Sequence, residues 1–298
     1  MKGLFTRFTL GFLFITFFSV STKAVSPYDS LALVALYNAT DGSVWDMPWN
    51  LNTKVSTWDG VQIKDNRVVS LELPQNGLRG TIPEDIANLT ELKILDLSEN
   101  NLEGELTPAI SDLRNLIYLN LSTNYFSGTI PEEIGLMTEL KEINFSFNDF
   151  SGVLPSTIGN LMNLRYLELN NNKFEGSIPN QFGNDHELIV LDLSSNRLEG
   201  VIPEEVGEMS KIEEIYLNNN ELEGHIPNIF ISLANLEVLE LEDNKFTGGL
   251  PKNFYALSHL STLNVNNNAL DLDNLETFEG EFLHYTYKKQ KKSISETK

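Results

Sequence analysis

The chain has 298 residues, with 42 acidic against 21 basic side chains, a formal net charge of −21 and no cysteine. The negative sign disfavours a nucleic-acid reader, and the missing cysteine excludes disulfide caps, a cysteine-ligated zinc site and a lipid-modified cleavage point. The length allows one sizeable domain, and the acidic surface suits solubility or a basic partner.

Lys2 and Arg7 precede an apolar run from Phe8 to Val20, and Thr22-Lys23-Ala24 offers a small-x-small cleavage site. This predicts a secretory signal peptide over 1–24. The run is short for a spanning helix, so the mature chain is expected to hold no membrane span. Residues 25–66 read as an N-terminal cap. Asp29 or Ser30 is the expected start of a helix through Leu31, Val34, Ala35 and Leu36 that stops near Asn38 to Gly42. Trp45, Trp49 and Trp58 follow and read as packing residues, not a sugar-binding box. Val61 to Leu73 is expected to form a hairpin leading into what comes next.

From 67 to 270 the chain runs through nine units of 24 residues, clearest at Leu188, Leu191, Leu193, Asn196, Leu198, Gly200, Ile202, Pro203 and Val206. The pattern is L-x-x-L-x-L-x-x-N-x-L-x-G-x-I-P-x-x-V. Its asparagine recurs without a slip at Asn76, Asn100, Asn124, Asn148, Asn172, Asn196, Asn220, Asn244 and Asn268. The alternation in L-x-L is that of a strand with one buried face. The asparagine, with donors and an acceptor, is suited to satisfy backbone groups inside a turn, and stacking makes it a ladder. The glycine suits a positive-φ bend. The proline after it fixes φ and starts the return segment; one unit departs, with Thr107 in that place and Pro108 next. The predicted fold is an α/β solenoid: a right-handed superhelix with a parallel sheet on its concave face and short 3-10, helical or extended convex segments.

At the tenth step the pattern fails, because Leu272 stands where glycine is due. Residues 271–287 read as a C-terminal cap and 288–298 as a basic, disordered tail.

The L-x-G-x-I-P variant resembles the plant-type leucine-rich repeats of receptor-kinase ectodomains and polygalacturonase-inhibiting proteins, and equally those of secreted bacterial proteins. Trp58-Asp59-Gly60-Val61 is similar to the family's N-cap without its flanking cysteines, and Tyr287-Lys288-Lys289-Gln290 to a step in the bacterial relatives. The cysteine-free style suggests a bacterial source and a secreted, extracellular or cell-surface location. In a eukaryote the sequons at Asn38, Asn88, Asn120 and Asn144 would matter. The resemblance is specific for fold and weak for function.

Chemistry is expected on the concave face. Its middle mixes aromatics with carboxylates at Tyr118, Glu142, Phe147, Tyr166, Glu168, Asp192, Glu214 and Tyr216, the composition of a recognition surface. The paired acids Glu72/Asp96 and Glu168/Asp192 lack the contrast of environments that catalysis needs and resemble no calcium loop. His186, His225, His259 and His284 lack metal-ligand spacing. No enzyme, cofactor or metal is therefore expected. The expected function is a secreted recognition module for an extracellular protein, peptide or glycan. The alternatives are an ice- or crystal-surface binder and an inhibitor of a secreted hydrolase.

Overall fold

The computed structural model describes residues 24–184, 187–251, 254 and 257–271, and the backbone of 284–286. Apart from Ala24, the expected signal peptide lies outside the described residues. So do the expected tail and, apart from Asp271 and 284–286, the expected C-terminal cap.

Helix α1 (Pro27–Ala39) opens with proline in its first turn, where a missing N–H costs nothing. It starts ahead of Asp29, so the capping role expected of Asp29 or Ser30 is not observed. Asp29 is fully buried instead. It accepts the Val68 N–H at 2.8 Å and the Arg67 Nε–H at 3.0 and 3.1 Å. The helix packs Ala32, Leu33 and Leu36 toward the first convex turn. Behind it, Trp45, Trp49 and Trp58 are buried, and Trp49 stacks on Trp58 at 4.8 Å. Their indole N–H groups donate to the carbonyls of Thr40, Asp59 and Asn50. These rings are spent on packing, as a covered solenoid end requires.

Strands β1 (Val61–Lys64) and β2 (Arg67–Glu72) pair antiparallel. From β2 onward one three-residue strand per coil adds in parallel and in sequence order, giving a sheet of 11 strands. Every 24-residue step lands on the same register; Leu71, Leu95, Leu119, Ile143, Leu167 and Leu191 are consecutive partners. These residues point inward and are buried, while both neighbours on each strand face the concave side.

The convex side is a run of 3-10 turns, each opened by the coil's proline, as at Glu132–Leu136 and Ser156–Asn160. Neighbouring turns approach closely. A Cβ on Gly159 would lie 2.2 Å from the Gln181 carbonyl oxygen.

A second parallel sheet of nine strands covers one flank, running from Arg79–Gly80 to Ala269–Leu270. The glycine pattern predicts only a bend in this stretch. It pairs because stacking brings the same run of each coil into register, and the glycine at positive φ turns the chain toward the proline. Between the sheets runs a hydrophobic spine, where Phe126, Phe150 and Phe174 stack at 5.8 and 6.2 Å.

The asparagines tie coil to coil. Asn148 Nδ2 donates to the carbonyls of Leu121, Phe145 and Ser146 at 3.0–3.2 Å, and its Oδ1 accepts the Phe126 N–H at 3.0 Å. The residue before each of the nine asparagines has φ between 51° and 55°. None of these residues is glycine, so the hydrogen bonds must over-determine a left-handed turn.

Candidate functional site

The parallel register sets the concave side chains in lines that cross the strands. In the first outward line Tyr118, Glu142 and Tyr166 are successive partners, followed by Val190 and Glu214. In the second, Asn144, Glu168, Asp192 and Tyr216 are successive partners, followed by Glu240. The sheet therefore brings the eight residues singled out from the sequence onto one face, with Phe147 at its border. Tyr118, Tyr166 and Tyr216 stand on alternate coils. Val190, between Tyr166 and Glu214, is 7% exposed and leaves a dip in the line.

Side-chain bonds hold this surface. The Tyr216 hydroxyl donates to Glu214 Oε2 at 2.8 Å, and Asn144 Nδ2 donates to Glu168 Oε2 at 2.8 Å. Asn120 Nδ2 donates to the Tyr118 oxygen at 3.0 Å. Burial, with Asp96 and Glu142 nearby, pushes the Tyr118 phenol up, so it stays neutral. Phe147 is 55% exposed and occupies the left-handed position before Asn148.

Asp192 has a different task from the one its sequence position suggested. Its Oδ1 accepts the Ser194 N–H at 3.0 Å and the Ser194 hydroxyl at 2.7 Å. Asp96 with Ser98, Asn120 with Ser122 and Asn144 with Ser146 repeat the arrangement. This aspartate/asparagine–serine lock closes the turn toward the ladder asparagine. Four coils read Asp or Asn, one residue, then Ser, which was the overlooked signal.

One coil replaces the lock with two glutamates, Glu240 and Glu242. Burial and the adjacent Glu240 raise the Glu242 carboxyl to about 7. Its Oε2 is buried and has no hydrogen-bond partner among the described residues.

A further line was overlooked, at the N-terminal ends of the strands. It reads Lys93, Ile117, Lys141, Arg165, Ile189, Glu213, Glu237 and Ser261, joined by backbone bonds from each residue to the one before at 2.7–2.9 Å. It follows one long edge of the concave sheet. Among the described residues no group of three or more His, Asp and Glu side chains is gathered as metal ligands. No described helix is long and apolar enough to cross a membrane.

Family profiles described as leucine rich repeat match residues 91–113, 115–137 and 139–161, then 162–222, 186–246 and 211–270 in overlapping windows. The chain belongs to the leucine-rich-repeat family, plant type. Five Arabidopsis thaliana receptor kinases and receptor-family proteins are 31–41% identical to it over 81–104 residues; it spans 9–14% of their length. Among solved structures, the ectodomain of the Arabidopsis thaliana receptor kinase GASSHO1/SCHENGEN3, in complex with Casparian strip integrity factor 2, is 29% identical. That match covers 81% of this leucine-rich-repeat chain and 33% of the ectodomain, with a TM-score of 0.73. The ectodomain of the Arabidopsis receptor kinase HAESA, in complex with an IDA peptide hormone ligand, is 27% identical over 81% of this chain and 49% of its own, TM-score 0.58. A plant ice-binding protein is 28% identical over 83% of this chain and 81% of its own, TM-score 0.73. These relatives are plant proteins and lend no support to the expected bacterial source.

Proposed function

We propose that this leucine-rich-repeat chain is a non-enzymatic recognition module, working outside the cell or at its surface, that binds a peptide or an extended protein segment on the concave sheet. The observation that carries this reading is the placement of Tyr118, Tyr166 and Tyr216 on alternate coils among carboxylates. Aromatic rings on a rigid frame bury much area at small entropic cost, and hydrogen-bonded carboxylates beside them supply direction. The receptor ectodomains above, crystallised with their ligands, support the same reading. Inhibition of a secreted hydrolase is a narrower form of it, and a glycan is the other ligand class the same face could take.

The test is a screen of secreted peptides, proteins and glycans, repeated with Tyr166→Ala/Tyr216→Ala. Two lost anchors should weaken a specific ligand by about 10- to 100-fold, with the circular dichroism spectrum unchanged. Binding that survives the double variant would remove the concave face from the reading.

Ice-surface binding is the second reading, favoured by the ice-binding neighbour. At the C-terminal ends of the flank strands Thr129, Val153, Ser177 and Val201 recur one coil apart without charge, but Val153 pairs with Glu175, and Glu199 stands two residues before Val201. Ice faces call for flat, uncharged arrays, and the concave side is acidic. Absence of thermal hysteresis would end this reading.

A further inference from the structure

The edge of the concave sheet is charged in two halves. Lys93, Lys141 and Arg165 are exposed on its first part, Glu213 and Glu237 on its last, and half-exposed Ile189 lies between. Three lysines elsewhere behave differently. Lys173, Lys211 and Lys245 each hold a carboxylate of the coil before, Asp149, Glu187 and Glu221, at 2.5–2.7 Å. Among the described residues, none of the five charged edge residues makes an ion pair; Arg165 only helps lower the Glu187 carboxyl from a distance.

The sheet face is mixed beside the first part and acidic beside the last. Across the coils of Lys93 to Arg165, the carboxylates Asp96, Glu99, Glu142 and Glu168 stand among Lys93, Lys141 and Arg165, and the exposed ring of Phe147 stands beside them. Across the next two coils but one, Glu213, Glu214, Glu237, Glu240, Glu242 and Asp243 face the same side with no cation among them. Six strand spacings separate Lys93 from Glu237. At about 4.8 Å each they span roughly 29 Å, the length of about nine extended residues.

We propose that the occupant of the concave face is an extended peptide of two-signed charge, lying across the strands with its acidic end on Lys93, Lys141 and Arg165 and its basic end on Glu213, Glu237 and Glu240. The inference rests on the concave-face reading above and adds the ligand's charge order. Complementary charges at a rim fix orientation and reject wrong partners more than they add affinity. The net charge of −21 makes the inference sharp. The field of the whole protein favours an all-basic peptide; only the local pattern at this edge favours a two-signed one.

The experiment uses three synthetic nine-residue peptides with one shared aromatic centre. One carries three glutamates at one end and three lysines at the other, one is lysine at both ends, and one is glutamate at both. Titrated calorimetrically at physiological salt, the two-signed peptide should bind about tenfold more tightly than the all-lysine one. A photo-crosslinker at its glutamate end should label the coils of Lys93 to Arg165. In the full chain carrying Lys93→Glu, Lys141→Glu and Arg165→Glu, all exposed positions, the preference should vanish or invert. Equal or tighter binding of the all-lysine peptide to the unaltered protein, labelling at the other end, or no binding of any of the three would each overturn the inference. A screened ligand that is lost in the tyrosine double variant but carries no charge order would leave the concave-face reading standing while this inference falls.

Discussion

Asn148 shows how much one side chain can join. It makes three donor contacts and one acceptor contact, all to buried backbone groups of its own coil and the coil before. Removing it strands polar groups that have no access to water. Asn148→Ala should cost about 3–5 kcal/mol in urea unfolding. Asn76 heads the ladder, where no earlier repeat exists. Its Oδ1 accepts the N–H of Met47 from the cap, and its Nδ2 has no partner among the described residues. Asn76→Ala should therefore cost only about 1–2 kcal/mol. Equal losses would mean that the ladder works through turn shape and not through bonds between coils. Glu242 offers a pH test. Its folded pKa of about 7 lies above its unfolded value of 4.5. Between these values the unfolded chain binds fewer protons, so stability falls as pH rises from about 4.5 to 7. Glu242→Gln removes that loss. With solvent screening discounted for a half-exposed group, the variant should gain about 1 kcal/mol over the parent at pH 8 and nothing at pH 4. A gain at both would trace to packing and not to ionisation.

Each coil is built from elements too short to persist alone: three-residue strands and five-residue 3-10 turns. Their stability comes from stacking, so glycines matter for two separate reasons. Gly159 has no unusual φ, but an added Cβ would collide with the Gln181 carbonyl of the next convex turn at 2.2 Å. Backbone cannot step aside, so Gly159→Ala should cost about 2–4 kcal/mol. Gly200 has φ +78° and its nearest obstacle, Ser177 Cβ, is 3.7 Å away. Gly200→Ala meets only the left-handed strain of about 1–2 kcal/mol. Paired chemical denaturation curves, read by circular dichroism, compare them. A larger loss at Gly200 would place the tighter constraint on the flank sheet.

At the scale of the molecule, charge opposes compactness. The excess of acids gives −21, against three close surface pairs at Lys173, Lys211 and Lys245. Exposed pairs contribute about 0–1 kcal/mol each, whereas self-repulsion of the whole surface is long-ranged until salt screens it. Raising sodium chloride from about 0.02 M to about 0.3 M should lift the thermal midpoint by about 2–5 °C. A fall would mean that the ion pairs outweigh the repulsion. The same acidity sets the background against which a ligand's charge order must be read.

The sequence by itself determined the period, and the period determined the solenoid. Leu95, Asn100, Gly104 and their 24-residue images each require one backbone environment, and a repeat without insertions forces those environments to stack. It also singled out the tyrosines of the concave face, because alternation along a strand is a local property. Other features came from neighbours that sequence does not place side by side. Asp29 is buried because β2 brings Arg67 and Val68 against the start of α1. The flank sheet exists because one coil supplies the hydrogen-bond partners of the next. Asp192 is committed to its turn because the strand ends where Ser194 reaches back to it. The two-signed edge was present in the residues all along, yet it becomes a line only when the strands stand side by side, since charge acts through distance in space and not along the chain.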